Sequence, residues 1–326
     1  MKLPHRRRFL HLAAGAAALP AVSRIARADT YPSRPVRLLV NDAPGGAPDI
    51  ASRLIGQWLS ERLGQQFVTE NRPGGGGTIG TEAVVRALPD GYTLLVVGTT
   101  HAINATLYDK LSFNIVHDIA AVAGIVRVPL VMVVNPAFPA ETLVDFIAYA
   151  KANPGKLNMA SAGTGTGPHV AGELFKLMTG TDMVHVPYRG GPPALTAVLS
   201  GQADVYFVAS SSSLAFIKAG KVRPLAVTTA MRWSGLPEVP AVAETVPGYE
   251  ASVWFGVGAP KNTPAEIIDK LGREINAALS DPAVSARLTE IGGTVMIGSP
   301  ADFSKLIVEE TEKWAKVIKF ANIKVE

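Results

Sequence analysis

From residue 36 onward the chain alternates between short runs of β-branched and other apolar residues and longer stretches in which apolar residues recur at helical spacing. That alternation is the pattern of an α/β fold with largely parallel sheets, because each crossover between parallel strands carries a helix. Val36 to Val40 reads as a buried strand. A helix follows from about Pro48 to Leu63, with Pro48 suited to the first turn, Ile50, Leu54, Trp58 and Leu59 on one face and Gly64 as its stop. Gln66 to Glu70 is a second strand, Thr78 to Leu88 a second helix and Tyr92 to Val97 a third strand. The unit is β-α-β-α-β with right-handed crossovers.

A second run of the same kind begins near Leu130. Strands at 131–134, 157–160, 183–186, 204–208 and 224–229 alternate with helices at 143–152, 168–178, 194–199 and 214–218. Residues 231–249 are rich in Pro and Gly and show little periodicity. SVWFGVGAP is a further strand, and 264–320 reads as almost wholly helical, with Pro264, Pro282 and Pro300 each opening a helix. The expected organisation is two α/β lobes, residues 29–128 plus 250–326 and residues 129–249, with the C-terminal helices returning to the first. The segments Val126 to Leu130 and Pro247 to Val253 are the expected hinges. At 326 residues, 48% of them hydrophobic, the chain can fill a core in both lobes.

The formal net charge of +4 suggests an anionic partner until its location is considered. Lys2, Arg6, Arg7, Arg8, Arg24 and Arg27 fall within residues 1–28, which hold no acidic residue. Setting those six aside leaves 25 basic against 27 acidic residues. This leader runs from arginines through the apolar stretch Phe9 to Val22 to Ala26-Arg27-Ala28, which fits cleavage near Ala28 and export to the periplasm. Arg6 to Leu10 resembles a twin-arginine pattern. A basic helix of the fold and an uncleaved anchor stay open as alternatives. The chain has no cysteine, so thiol nucleophiles, iron–sulfur clusters and cysteine zinc sites are excluded and the fold rests on its core.

The junctions between strand and helix carry the functional signal. Residues 38–54, LLVNDAPGGAPDIASRL, pass from a strand through Gly45 and Gly46 into a helix. Without Cβ atoms such a turn can present backbone N–H groups outward, and the helix N-terminus adds roughly half a positive charge. SAGTGTG, 161–167, repeats the arrangement in the second lobe. Two such sites facing each other across a cleft would hold a small carboxylate or similar anion. Competing readings are weaker. Gly75, Gly77 and Gly80 match a dinucleotide fingerprint, but the acidic residue expected about 20 positions on is missing, and a tight turn lining the cleft is the better reading of NRPGGGGTIG. Met159 breaks the nucleophile-elbow pattern around Ser161. His101, His117, His169 and His185 show no metal-ligand spacing. An exported serine hydrolase or transferase using Ser161 with His169 is the rival to a binding protein.

APGGAPDIASR (43–53), LGQQFVTENRPGGGGTIGTEAV (63–84), PDGYTLL (89–95), YAKANPGKLNMASAGTGTGPHVAGELF (149–175), HVPYRGGPPALTAVLSGQADVYF (185–207), IKAGKVRPLAVTT (217–229), LPEVPAVAET (236–245) and WFGVGAPKNTP (254–264) together resemble the periplasmic solute receptors of the tripartite tricarboxylate transporter family, also called the Bug family. The resemblance spans residues 30–320. It implies a type II periplasmic-binding-protein fold closing on a carboxylated small molecule and presenting it to transporter membrane subunits. It implies neither catalysis nor a cofactor or metal, and a monomer is expected. Carried onto this chain, it points to Ala43, Gly45, Gly46 and Ala47, to Asp49, to Ser161, Thr164 and Thr166, and to Thr99 and Thr100 as cleft liners.

The chain departs from the pattern at Asn41-Asp42, where relatives commonly carry a Pro-aromatic pair. A carboxylate beside an anion pocket repels a second ligand carboxylate unless it meets an ammonium or a local arginine. Asp42 therefore predicts an amino acid or nitrogen heterocycle as ligand, or else it faces solvent. Ser210 and its neighbours stand where many relatives place an acidic or amide residue, and small hydroxyls lining the cavity are the reading here. Tyr188 is a candidate cleft liner and Arg189 a candidate clamp for a distal carboxylate, with a capping or surface role as the alternative. Trp254 and Phe255 read as packing residues near the second hinge.

Overall fold

The computed structural model describes residues 31–42 and 44–324; the expected export segment, 1–28, and Ala43 lie outside the described residues. The chain opens with β1 (Val36–Val40), α1 (Ala47–Leu63), β2 (Phe67–Asn71), a 3-10 turn (Gly75–Gly77) running into α2 (Thr78–Val85), β3 (Thr93–Gly98), α3 (Thr99–Leu107) and α4 (Ile115–Asp118). β4 (Ile119–Val134) follows, then α5 (Leu143–Ala152), β5 (Leu157–Ser161), α6 (Gly167–Thr179), β6 (Met183–Pro187), α7 (Gly191–Leu199), β7 (Val205–Ala209), α8 (Ser210–Lys218) and β8 (Arg223–Val227). The remainder is α9 (Val242–Thr245), β9 (Ser252–Pro260), α10 (Ala265–Ser280), α11 (Pro282–Glu290), β10 (Thr294–Val295) and α12 (Pro300–Ala321).

The strands run in the order β2-β1-β3-β9-β4-β7-β5-β6, with β8 and β10 also paired to β4. β1 is parallel to β2 and β3, and β5 is parallel to β6 and β7, as right-handed crossovers require. β9 runs antiparallel to both β3 and β4. This is the expected two-lobed α/β architecture, with a cleft between the lobes and two crossovers.

The crossover expected as a connecting segment at 126–130 is instead the middle of one continuous strand. β4 pairs with β9 from Ile119 to Pro129, then with β7 and β8 from Leu130 to Val134. Pro129, which has no N–H to give, sits at the residue where the partners change. The return crossover is stitched to the same point, because the Leu130 N–H donates to Thr228 Oγ1 at 3.0 Å and the Ala251 N–H donates to the Thr228 carbonyl at 2.9 Å.

Local sequence explains most of the helices. α1 and α6 share one design, with a proline in the first turn and a left-handed glycine, Gly64 or Gly180, as the stop. The Ser299 hydroxyl and the Asp302 carboxylate cap the start of α12 reciprocally. This last helix buries Phe303, Ile307, Trp314, Val317 and Ile318 and packs on β4, α3 and α6, so it touches both halves rather than the first alone. The sequence does not announce α3. Its TTHAINATL lacks a clear apolar period, and tertiary contacts hold it: Thr99 Oγ1 accepts from the Trp254 N–H at 2.9 Å, and the His101 ring turns back to Gly98.

Candidate functional site: a cleft between the two halves

A cavity of about 250 Å³ lies where the two halves meet. The first half contributes Asn41 and Asp42 after β1, the turn residues Pro73, Gly74, Gly76 and Gly77, and Thr100, Asn104 and Tyr108 on α3; the second contributes Thr164, Gly165 and Thr166 ahead of α6. Other hollows, of about 280 Å³ beside α12 and about 480 Å³ between α5 and α6, are each lined by one half alone. The halves touch beside the cavity. A Cβ added at Gly165 would land on Leu107 Cδ2, and one at Gly167 on Val253 Cγ1.

Three features build the first wall. Thr100, Asn104 and Tyr108 lie four residues apart and share one face of α3, the last residue just past its end. Asn104 Nδ2 donates to the Gly76 carbonyl at 2.7 Å, which ties the glycine turn to the helix. Gly76 and Gly77 have φ of 63° and 92°, and a Cβ at either would collide with the Tyr108 hydroxyl or the Asn41 amide. Only glycine satisfies both demands. Behind this wall Asn41 Nδ2 is 3.4 Å from His101 Nε2, while His101 Nδ1 faces Gly98. Complete burial brings the His101 pKa down to about 4, so the ring is neutral at physiological pH.

The opposite wall is stiffened from inside its own lobe. The Gly163 N–H donates to Ser161 Oγ at 3.1 Å, and Thr166 Oγ1 donates to the Gly163 carbonyl at 2.7 Å. The Gly165 N–H donates to His169 Nδ1 at 3.0 Å. Burial, then the neighbouring His185 and Lys176, lower the His169 pKa to about 3. His185 falls to about 4, again chiefly through burial, and its Nε2 is 2.6 Å from Ser161 Oγ. The Ser161–His169 pair of the hydrolase reading is therefore absent: Ser161 is 0% exposed and bonded to His185, while His169 serves the loop backbone. That reading has no support.

At the first glycine junction the chain supplies an anion of its own. Asp49, 3% exposed and in the first turn of α1, accepts from the Gly45 N–H at 2.9 Å and from Arg53 Nε at 3.0 Å. Burial opposes its ionisation, but Arg53 and the Gly45 amide outweigh it and hold the carboxyl below its ordinary value. Gly46 is the N-cap of α1 and Ala47 its first residue. Asp42 keeps contact with solvent at the cavity wall, yet the crowding of the cleft around it pushes its carboxyl upward.

Of the other residues named from sequence, Thr100, Thr164 and Thr166 share the cavity with Asp42. Thr99 is buried with its hydroxyl on Trp254, outside the lining. Ser210 is buried at the start of α8 with its hydroxyl on the Gly292 carbonyl. Tyr188 is half-buried, its N–H bonded to the Ser161 carbonyl, and Arg189 is exposed; neither lines the cavity. Trp254 is buried and donates from Nε1 to Glu310, with Phe303 against its ring. Asn41, Asn104 and Tyr108 were not singled out as site residues. For the α3 pair the available signal was the i, i+4, i+8 spacing of polar groups from Thr100.

Comparison with known proteins agrees with this geometry. BugT of Bordetella pertussis is 36% identical over 302 residues, covering 92% of this chain and 93% of that protein. An R. palustris protein solved with adipate is 38% identical with a TM-score of 0.81, covering 90% of this chain and 99% of that one. MatC from Rhodopseudomonas palustris with bound malate is 31% identical with a TM-score of 0.78, covering 88% and 100%. A family model described as the tripartite tricarboxylate transporter family receptor matches residues 51–323. With the two-lobed sheet, the cleft and this match in agreement, the chain belongs to the tripartite tricarboxylate transporter receptor family.

Proposed function

We propose that the chain captures a small carboxylate in the cleft between its lobes and delivers it, outside the cytoplasm, to the membrane subunits of a tripartite tricarboxylate-type transporter. The observation that carries this reading is the convergence of the N-terminal ends of α2 and α6 and of Thr100, in the first turn of α3, on a cavity whose lining contains no lysine or arginine among the described residues. Each helix end contributes roughly half a positive charge that no side chain needs to bring. The amides of Thr100 and Thr164, one from each side, have no partner among the described residues and are the donors assigned to the solute. At about 250 Å³ the space suits roughly ten non-hydrogen atoms. The adipate and malate bound by the two R. palustris proteins are of that size and chemistry.

Capture works by closure. The lobes divide near residues 128/129 and 249/250, where β4 changes partners and the chain returns into β9. Moving the lobes apart separates Thr164, Gly165 and Thr166 from α3 and opens the cavity. The protein acts without turnover and as a monomer, and residues 1–28 direct its export to the periplasm. The test is a melting-shift screen of the purified chain against mono-, di- and tricarboxylates and amino acids. A ligand at 100 times its Kd adds about 2.7 kcal/mol of stability, a shift of several degrees. No shift with any member of the set would sink the receptor reading.

A further inference from the structure

Among the described residues Asp42 is the one carboxylate in the cavity wall, and its side chain has no hydrogen bond or ion pair. Its backbone is anchored, because Asn71 Nδ2 donates to the Asp42 carbonyl at 3.0 Å. The neighbouring cations are committed elsewhere, Arg37, the nearest in the chain, pairing with Glu70 at 3.2 Å. Arg53 holds Asp49 and Asn71 Oδ1, and Arg72 holds Glu70. Among the described residues the lining offers no lysine or arginine, and its remaining groups are amides, hydroxyls, glycines and a proline. A solute in this cavity thus meets two unlike ends: helix N-termini that favour an anion, and a carboxylate without a counter-charge.

We propose that the solute is an amino-carboxylate, with its carboxylate at the N-termini of α3 and α6 and an ammonium or protonated ring nitrogen against Asp42. This rests on the receptor reading and narrows it. A plain dicarboxylate of the same length brings its second negative charge toward the Asp42 carboxylate, and like charges repel. An ammonium in the same place is attracted and donates a charge-assisted hydrogen bond. Asp42 acts here as a specificity-determining residue, selecting among solutes that the helix ends accept equally.

The experiment is isothermal titration with three matched pairs that differ only in the amino group: aspartate and succinate, glutamate and glutarate, leucine and 4-methylpentanoate. At least one amino member should bind tenfold or more tighter than its deaminated partner. In Asp42→Asn that ratio should collapse to within about threefold, with the amino member weakened and the plain acid strengthened. Because the Asp42 side chain has no partner among the described residues, the variant's unliganded melting temperature should stay within a few degrees, which checks its folding. The proposal is overturned if the plain acids bind as well as their amino partners, if the preference survives in Asp42→Asn, or if no amino member binds. Plain acids binding without an amino advantage would leave the receptor reading standing, whereas that reading falls only if the wider carboxylate screen is also silent.

Discussion

His169 and His185 stack face to face, with ring centroids 3.5 Å apart and planes 10° from parallel. One ring accepts from the Gly165 amide and the other bonds Ser161, so this pair sets both ends of the loop that forms the second wall of the cleft. Two cations could not share that contact. Burial keeps both rings neutral, and neutrality is what allows His169 Nδ1 to act as an acceptor.

This fixes the sign of an acid response. His101 and His169 have folded pKa values of about 4 and about 3, below the value of 6.5 that each recovers on unfolding. As pH falls through 6.5 the unfolded chain takes up protons that the folded chain refuses, so stability present above pH 6.5 declines toward pH 4. Each group contributes a slope of up to about 1.4 kcal/mol per pH unit. Urea unfolding between pH 7.5 and 4.5 should follow this decline, and His169→Gln should make it shallower. A profile as steep in the variant as in the parent would contradict the assignment of His169.

Gly165 has φ of 75° and faces Leu107 across the cleft. Gly165→Ala should cost about 1–2 kcal/mol from the left-handed backbone alone and wedge the lobes apart. Ligand affinity is expected to fall at least tenfold, with a larger radius of gyration in the presence of ligand by small-angle scattering. Wild-type affinity in this variant would mean that the lobes do not close on that loop.

Asn104 should matter through the turn it holds. In Asn104→Ala the Gly76 carbonyl loses its donor and the glycine turn its tie to α3. The expected loss is about 1–2 kcal/mol in stability, with solute affinity reduced roughly tenfold or more and appearing mainly in the dissociation rate by surface plasmon resonance. A variant with unchanged affinity would show that the turn holds its place without the helix.

Glu310 is a core acceptor rather than a surface charge. Its Oε2 receives the indole N–H of Trp254 at 3.0 Å and of Trp314 at 2.9 Å, and Lys313 donates to Oε1 at 2.6 Å. Glu310→Ala strands two buried donors and should cost about 3–5 kcal/mol by chemical denaturation. Glu310→Gln keeps an acceptor and should cost less than half as much. Equal losses in the two variants would show that the charge, not the acceptor geometry, is what matters.

What the sequence by itself determined about this protein is its set of local signals. Proline at the first turn and glycine at the stop bounded α1 and α6, and the alternation of buried strands with amphipathic helices was enough to specify two α/β lobes. It also marked 161–167 and the turn after β2, because glycine clusters between a strand and a helix carry their reason within a few residues. What only the tertiary structure decided is which polar groups are spent within the fold. The amides of Gly45, Gly163 and Gly165 read from sequence as donors for a ligand, yet Asp49, Ser161 and His169 take them. α3 was invisible because its stability comes from contacts with Trp254 and α12, residues about 150 or more positions away, and with it Asn104 and Tyr108 stayed hidden. The connecting segment expected at 126–130 is part of one unbroken strand, since the pairing partners of Pro129 and Leu130 come from β9 and β7, far apart in the chain. Partners so distant leave no mark on local composition; they exist only once the chain has closed on itself.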